Sequence, residues 1–196
     1  MKKITLACFL CLGVVVVVAQ QSNRKWQFSV GASASLPSGK FSNYYNTGYG
    51  GEAEISYLFN EKFSWYVTSG YYVFTGKKNT YSVNYGGIPF NFDYTSPKIG
   101  YIPILGGPRY TIGNFSLGIA AGVGIYNFKN EGNTYNVISD TTGISFTYSP
   151  QIAYTTGKFK IAASYTSSTV KLDAQFSSYV DLKNAAFIGI KLFYQF

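Results

Sequence analysis

The chain has 196 residues, with 16 lysine and arginine residues against 8 aspartate and glutamate residues, which gives a formal net charge of +8. Aromatic residues make up 19% of the chain and charged residues only 12%, a balance that argues against an ordinary water-covered surface. Outside the first few residues, basic doublets occur only at Arg24-Lys25 and Lys77-Lys78, so the composition also argues against a nucleic-acid-binding protein.

The amino terminus, MKKITLACFLCLGVVVVVAQ, has the three regions of a secretory signal peptide. Lys2 and Lys3 form the charged region, an apolar run follows, and small residues precede Gln20. The apolar run is shorter than the roughly 20 residues that a membrane helix needs. We therefore expect residues 1–19 to be removed on export and residues 20–196 to form the mature domain. Both cysteines lie in the leader, so we expect the mature chain to have no disulfide.

From Trp26 onward, apolar and polar residues alternate with the period of two that is typical of β-strands. In the first such segment, Phe28 and Val30 alternate with Ser29 and Gly31. The pattern predicts eight strands, at residues 26–36, 49–59, 63–75, 98–111, 115–126, 143–155, 159–170 and 185–196. These strands are long enough to cross a bilayer, since a tilted strand needs about 9–11 residues.

The predicted connections alternate in length along the chain. They are long at residues 37–48, 76–97, 127–142 and 171–183, and short at residues 60–62, 112–114 and 156–158. In an up-and-down barrel, this alternation places all long loops at one end and all short turns at the other. The fold class is therefore predicted as all-β, an eight-stranded antiparallel up-and-down transmembrane β-barrel with short periplasmic turns and long extracellular loops.

A secreted, lipocalin-like ligand-binding barrel is the structural alternative, because it would have the same leader, strand number and alternation. The polar phase of the strands argues against it. That phase is rich in glycine, serine and alanine, which suit a narrow lumen better than a surface exposed to water.

The last strand, AAFIGIKLFYQF, ends on an aromatic residue and resembles the closing strand of bacterial outer-membrane barrels. The segment from Tyr101 to Leu105, YIPIL, resembles a proline-containing strand of Bacteroidetes-type barrels. The mature chain as a whole resembles the small outer-membrane barrels of the OmpA/OmpX kind. The resemblance implies location in the outer membrane of a Gram-negative bacterium. It also implies that the barrel-assembly machinery recognises Tyr194 and Phe196 as the assembly signal.

Catalysis is not expected, because the chain contains no histidine. The barrel enzymes of the outer membrane resemble one another in using a histidine as general base. Glu52 and Glu54 are the only close pair of carboxylates, and their strand phase directs both into the lumen. We therefore expect no catalytic site, no metal site and no cofactor.

Five charged residues are predicted to face the lumen: Glu52, Glu54, Arg109, Lys160 and Lys191. Glu54 and Lys191 lie equally far from the periplasmic ends of their strands, and both strands flank the first strand after closure. We therefore predict an ion pair between them, with Glu52 above it and with Arg109 and Lys160 near the periplasmic mouth.

The longest connection carries a second alternation on both sides of Gly86-Gly87, a natural turn. The pattern predicts that strands three and four continue beyond the membrane as a protruding hairpin, with an unstructured solvated loop as the alternative. Its predicted interaction surface comprises Lys77, Lys78, Tyr81, Val83, Tyr85, Phe90, Phe92 and Tyr94. The two lysines at its base are placed to meet lipopolysaccharide phosphates.

The predicted function is that of a structural or surface-interaction barrel, acting in adhesion or complex assembly through its extracellular loops. The expected partners are outer-membrane lipid and lipopolysaccharide, the barrel-assembly machinery, and a surface protein or carbohydrate, but no nucleic acid. Transport of a small solute or hydrophobic ligand across the outer membrane is the functional alternative.

Overall fold

The structure is a computed structural model that describes residues 25–129, 141–169 and 184–196. The predicted leader, residues 1–19, and most of the predicted connections at 127–142 and 171–183 lie outside the described residues. The described elements are β1 (Trp26–Ser38), α1 (Phe41–Tyr44), β2 (Gly48–Leu58), β3 (Phe63–Phe74), β4 (Lys78–Tyr85), β5 (Ile88–Thr95), β6 (Lys98–Ile112), β7 (Phe115–Lys129), β8 (Thr141–Thr156), β9 (Phe159–Thr169) and β10 (Asn184–Gln195).

Eight of the strands form a closed antiparallel barrel in the order β1-β10-β9-β8-β7-β6-β3-β2. The barrel closes through the pairing of β1 with β10, whose register runs from Ser29 opposite Gln195 to Ser38 opposite Ala186. The predicted eight-stranded up-and-down topology and the predicted pairing of the first and last strands are both confirmed.

The two ends of the barrel differ in the length of their connections. Residues 59–62, 113–114 and 157–158 form tight turns at one end, which we call the short-turn end. Gly113 and Gly157 both have a φ of 58°, a left-handed conformation that glycine adopts without strain. The connections at residues 39–47 and 75–97 leave from the opposite, long-loop end.

The barrel is apolar outside and polar inside. On β1, for example, Val30 is 45% exposed on the outer surface, whereas Ser29 is 3% exposed and faces the lumen. The same division holds around the barrel, where isoleucine, leucine, valine and aromatic side chains cover the outer surface. A lipocalin-like barrel in water needs the opposite arrangement, so the structure argues against that alternative and for a barrel surrounded by hydrocarbon.

Aromatic pairs join neighbouring strands at the short-turn end. They lie across four strand junctions, with ring centroids 4.8–5.6 Å apart: Trp26–Tyr57 (β1–β2), Phe63–Tyr110 (β3–β6), Phe115–Tyr154 (β7–β8) and Phe159–Tyr194 (β9–β10). The tight turns at this end connect different pairs of neighbouring strands, β2 to β3, β6 to β7 and β8 to β9. The four aromatic pairs therefore lie between neighbouring strands that no turn connects at this end.

The predicted hairpin is present, with Gly86 and Gly87 at its turn and φ angles of 59° and 85°. However, β4 and β5 form a separate two-stranded sheet, so the prediction that strands three and four continue into the hairpin is wrong. Gly76 lies between β3 and β4 and pairs with Tyr45 in an isolated bridge. A side chain at Gly76 would overlap the Ser96 carbonyl, so only glycine fits where these two segments of the chain pass each other.

Candidate functional site

The short-turn half of the lumen is organised around Glu54, which β2 directs inward and which is 2% exposed. Arg109 donates from Nη1 and Nη2 to the two carboxylate oxygens of Glu54, at 2.6 Å each. Lys160 donates from Nζ to Glu54 Oε1 at 2.5 Å. Arg109 also lies over the ring of Tyr66, with its guanidinium carbon 4.0 Å from the ring centroid. One carboxylate therefore forms ion pairs with two buried cations.

Glu52 is the centre of a second group. It lies two residues from Glu54 along β2, further from the short-turn end. Lys191 lies with its Nζ 2.9 Å from Glu52 Oε2 and also donates to Oε1 at 3.0 Å. The hydroxyl groups of Thr68 and Tyr72 donate to the same carboxylate. All five charged residues that were predicted to face the lumen are buried there.

The predicted ion pair between Glu54 and Lys191 is wrong, because Lys191 contacts Glu52 instead. Strand β1 lies between β10 and β2 and relates the depths of the three residues. Lys191 of β10 lies opposite Ser33 of β1, whereas Glu52 and Glu54 of β2 lie opposite Gly31 and Ser29. Lys191 is therefore two positions along β1 from Glu52 and four from Glu54. The strands of a barrel are staggered, so residues equally far from their strand ends do not lie at the same depth. The placement of Arg109 and Lys160 nearer the short-turn end agrees with the prediction.

The long-loop half of the lumen contains a layer of aromatic residues that sequence reasoning missed. Its rings pack closely, with Tyr101 stacked on Tyr126 at a centroid distance of 4.6 Å. The layer comprises Phe41, Tyr45, Tyr72, Phe74, Ile99, Tyr101, Tyr126, Phe128, Ala185 and Phe187. The available signal was the end of β3, where Tyr71-Tyr72 and Val73-Phe74 place large apolar residues on both phases.

Helix α1 covers this aromatic layer and also holds the base of the hairpin. Phe41 is fully buried, and its ring centroid lies 5.2 Å from that of Phe74. The backbone N–H of Lys77 donates to the Tyr44 carbonyl, and Lys77 Nζ donates to the Ser42 carbonyl, both at 2.7 Å. The hairpin is therefore anchored to the barrel through the carbonyl groups of α1.

An ion pair stabilises the hairpin near its base. Lys78 Nζ lies 2.8 Å from Asp93 Oδ2, and the Thr80 hydroxyl donates to Asp93 Oδ1 at 2.8 Å. The hydrogen bond from Lys78 holds the pKa of Asp93 below its ordinary value. Lys77 and Lys78, both predicted to contact lipopolysaccharide phosphates, thus already have partners within the protein.

The backbone register of the hairpin places the predicted interaction residues opposite one another. Tyr81 lies opposite Phe92, and Val83 lies opposite Phe90. The alternate positions pair polar residues, such as Ser82 with Asn91. The side chains of the predicted residues Tyr81, Val83, Tyr85, Phe90, Phe92 and Tyr94 lie outside the described part of the structure.

A cavity of about 350 Å³ opens at the short-turn end of the lumen. Arg109 and Lys160 lie on its wall, together with polar residues of the strand ends and turns. Within the described ranges, no three histidine, cysteine, aspartate or glutamate side chains gather in a way that could hold a metal ion. The helical part of these same ranges has no segment long and apolar enough to cross a membrane.

Tyr194 and Phe196, the residues predicted as the assembly signal, lie at the outer rim of the short-turn end. Their ring centroids are 5.2 Å apart, and Phe196 is 54% exposed. The backbone N–H of Phe196 donates to the Phe28 carbonyl at 3.0 Å, which extends the closing contact beyond β10. Recognition of the two residues by the assembly machinery stays a prediction.

Comparison with known proteins gives matches among solved structures, whereas no protein-family model and no curated protein matches the sequence. The structure of Ail, the attachment invasion locus protein of Yersinia pestis, in complex with the heparin analogue sucrose octasulfate, matches with a TM-score of 0.53. The identity is 14% over 87% of this chain and 97% of Ail. Another crystal structure of Ail matches with a TM-score of 0.51 and 17% identity over the same shares.

This chain has the fold of the small outer-membrane β-barrels. The N-terminal β-barrel domain of OprF from Pseudomonas aeruginosa matches at 14% identity, over 87% of this chain and 97% of that domain, with a TM-score of 0.48. The OmpA/OmpX-like fold predicted from the sequence is confirmed. The finer resemblance to Bacteroidetes-type barrels stays a prediction.

Proposed function

We propose that this chain is an integral outer-membrane protein of a Gram-negative bacterium whose β4–β5 hairpin binds a partner at the cell surface, in adhesion or in the assembly of a complex. The observation that carries the proposal is the separate hairpin at the long-loop end. In the described part of the chain, neither β4 nor β5 has a second strand partner. Both outer edges of the hairpin thus offer backbone donors and acceptors to a partner strand.

The apolar outer surface and the outer-membrane barrel fold support the proposed location. Residues 1–19 are the proposed export leader. Tyr194 and Phe196 are the proposed contact with the barrel-assembly machinery, and lipid and lipopolysaccharide are the proposed surroundings of the barrel. Mass spectrometry of the protein extracted from outer membranes tests the leader, since the mature chain should begin at Gln20.

A surface carbohydrate or protein with negative groups is the proposed partner. By the sequence, the strand ends and connections predicted at the long-loop end carry a small excess of positive charge, with seven lysines (Lys40, Lys77, Lys78, Lys98, Lys129, Lys171 and Lys183) and five carboxylates (Asp93, Glu131, Asp140, Asp173 and Asp181). The heparin analogue bound to Ail is a polyanion of this class and serves as a practical probe.

We propose neither transport nor catalysis as the function. Buried side chains occupy both its ionic and its aromatic layer, as expected for an eight-stranded barrel. The chain also has no histidine to act as a general base. We therefore assign the function to the surface.

The test compares two sets of substitutions in the hairpin, made in the full chain. One set changes Tyr81, Tyr85 and Phe92 to threonine, and the control set changes Ser82, Asn84 and Asn91 to threonine. Threonine keeps a high β-propensity, so both variants should retain the hairpin. We expect the first set to abolish binding to host cells, matrix, sucrose octasulfate or partner barrels, and the control set to leave binding unchanged.

Both variants must still show the shift on gels between unheated and boiled samples that indicates a folded barrel. Replacement of residues 79–94 by a short glycine-serine linker extends the test, because it removes the hairpin and keeps the barrel. Unchanged surface binding after this replacement would mean that the hairpin is not the functional surface.

A further inference from the structure

The short-turn half of the lumen holds more positive than negative charge. Three cations, Arg109, Lys160 and Lys191, are buried in the described lumen with two carboxylates. Lys191 pairs with Glu52, so Arg109 and Lys160 share the carboxylate of Glu54. A buried cation whose charge is not balanced is unfavourable in a region that water reaches poorly. This arrangement favours an additional anion.

The cavity at the short-turn end lies next to this excess charge and is large enough for a small solute. Its volume of about 350 Å³ falls within the usual range for ligand pockets. Arg109 and Lys160 contribute the positive charges of its wall, and Glu61, on an exposed turn, is the single carboxylate among its described lining residues. Neutral hydrogen-bonding side chains complete the wall, at Gln27, Ser64, Thr111, Asn114, Ser116, Thr155 and Gln195.

We propose that this cavity binds a small anion with a carboxylate or phosphate group, held by Lys160 and Arg109. An ammonium group has three donors, and the described residues give Lys160 Nζ one oxygen acceptor, Glu54, and the face of the Phe193 ring, whose centroid is 4.3 Å away. The buried Nε of Arg109 has no acceptor within the described structure. An oxyanion would supply the missing acceptors and the missing negative charge together. The site lies at the opposite end of the barrel from the hairpin and is independent of the proposed surface function.

The experiment titrates the full chain, folded in detergent micelles, with inorganic phosphate and separately with acetate, at an ionic strength held constant with sodium chloride. Chemical shifts of the ¹⁵N-labelled protein report where the anion binds, and the urea midpoint reports linkage between binding and stability. We expect shifts confined to the short turns and the cavity wall. A response to both anions indicates a general oxyanion site, and a response to phosphate alone indicates a phosphate site.

Lys160→Met should weaken anion binding by about tenfold or more, because it removes a charged hydrogen-bond donor. Lys158→Met is the matched control. Lys158 lies in the adjacent turn, with its Nζ 5.7 Å from the Tyr194 ring, and is not part of the cavity wall. We expect this variant to bind as the unmodified protein does.

Ser64→Asp gives a second test, which also serves if Lys160→Met fails to fold. Ser64 is buried on the cavity wall, opposite Arg109 in the β3–β6 register, so a carboxylate there supplies the missing charge from within the chain. We expect this variant to fold without added anion and to lose the response to phosphate. The proposal is overturned if the unmodified protein responds to neither anion, if Lys158→Met weakens binding as much as Lys160→Met, or if Ser64→Asp keeps the full response.

Discussion

The Glu54 carboxylate and the Arg109 guanidinium form a two-point ion pair inside the barrel, with both N–O distances at 2.6 Å. Paired geometry of this kind gives stronger and more directional contacts than a single hydrogen bond. Glu54 lies on β2 and Arg109 on β6, two strands that β3 separates in the sheet. The pair therefore connects two strands that are not neighbours, in addition to the hydrogen bonds between neighbouring strands.

The first prediction concerns removal of the charge on Glu54. Glu54→Gln should destabilise the folded barrel by about 3–5 kcal/mol, because Arg109 and Lys160 would both remain buried without their carboxylate. Urea unfolding in detergent micelles, followed by the fluorescence of Trp26 and Trp65, measures the change. Glu61→Gln, in the exposed turn of residues 59–62, is the control and should change stability by less than about 0.5 kcal/mol. Equal effects of the two substitutions would contradict the buried role of Glu54.

The second prediction distinguishes the two pairings of Lys191. Double-mutant cycles with Lys191→Met should give a coupling of about 0.5–3 kcal/mol with Glu52→Gln, since the two groups are in contact. The coupling with Glu54→Gln should be clearly smaller, because the partners of Glu54 are Arg109 and Lys160. A larger coupling with Glu54 would restore the pairing that the strand lengths predict.

Much of the barrel could be predicted from the sequence, because a strand with two different faces leaves a period of two. Lys191, for instance, lies between Ile190 and Leu192, and the structure buries the lysine while about half of each neighbour is exposed. The pattern therefore determines which face is which. It does not determine the stagger between strands, and for that reason the partner of Lys191 was predicted wrongly.

The aromatic layer of the lumen could not be predicted from alternation, because both faces are apolar at the long-loop ends of the strands. Tyr71 is half exposed on the outer surface, whereas the adjacent Tyr72 is 2% exposed inside the barrel. Helix α1 left no periodic signal, because it has only four residues. Its position depends on contacts of Phe41 and Tyr45 with strands that are distant in sequence.

The third prediction uses two adjacent glycines in β6. A Cβ at Gly107 would overlap the Ile119 carbonyl of β7, whereas a Cβ at Gly106 would meet its nearest atoms at an ordinary 3.6 Å. Gly107→Ala should therefore destabilise the barrel by about 1–3 kcal/mol through forced separation of β6 and β7. Gly106→Ala is the matched control and should be nearly neutral. Similar urea midpoints for the two variants would contradict the close approach at Gly107.

The fourth prediction concerns the hairpin and pH. The pKa of Asp93 is lowered in the folded protein, chiefly by the hydrogen bond from Lys78, so the contribution of this carboxylate to stability is present above its unfolded pKa. This contribution should be lost as the pH falls through the lowered pKa of the folded state. Amide exchange in β4 and β5, measured by NMR during acidification, should then become faster.

Asp93→Asn is the control for the pH experiment, because the amide does not titrate. Amide exchange in β4 and β5 of this variant should show no step in the same acidic range once the intrinsic pH dependence of exchange is subtracted. A step of unchanged size in the variant would assign the titration to another group.

The aromatic pairs at the short-turn end also have a consequence for the order of folding. Strands joined by tight turns, such as β2 and β3, can pair locally, whereas β3 and β6 must close the connection at residues 75–97 before Phe63 meets Tyr110. Closing a longer loop costs more conformational entropy. The hairpin reduces this cost, because its register brings Lys78 opposite Thr95. The element that we propose binds a partner outside the cell should therefore also shorten the loop that β3 and β6 have to close during folding.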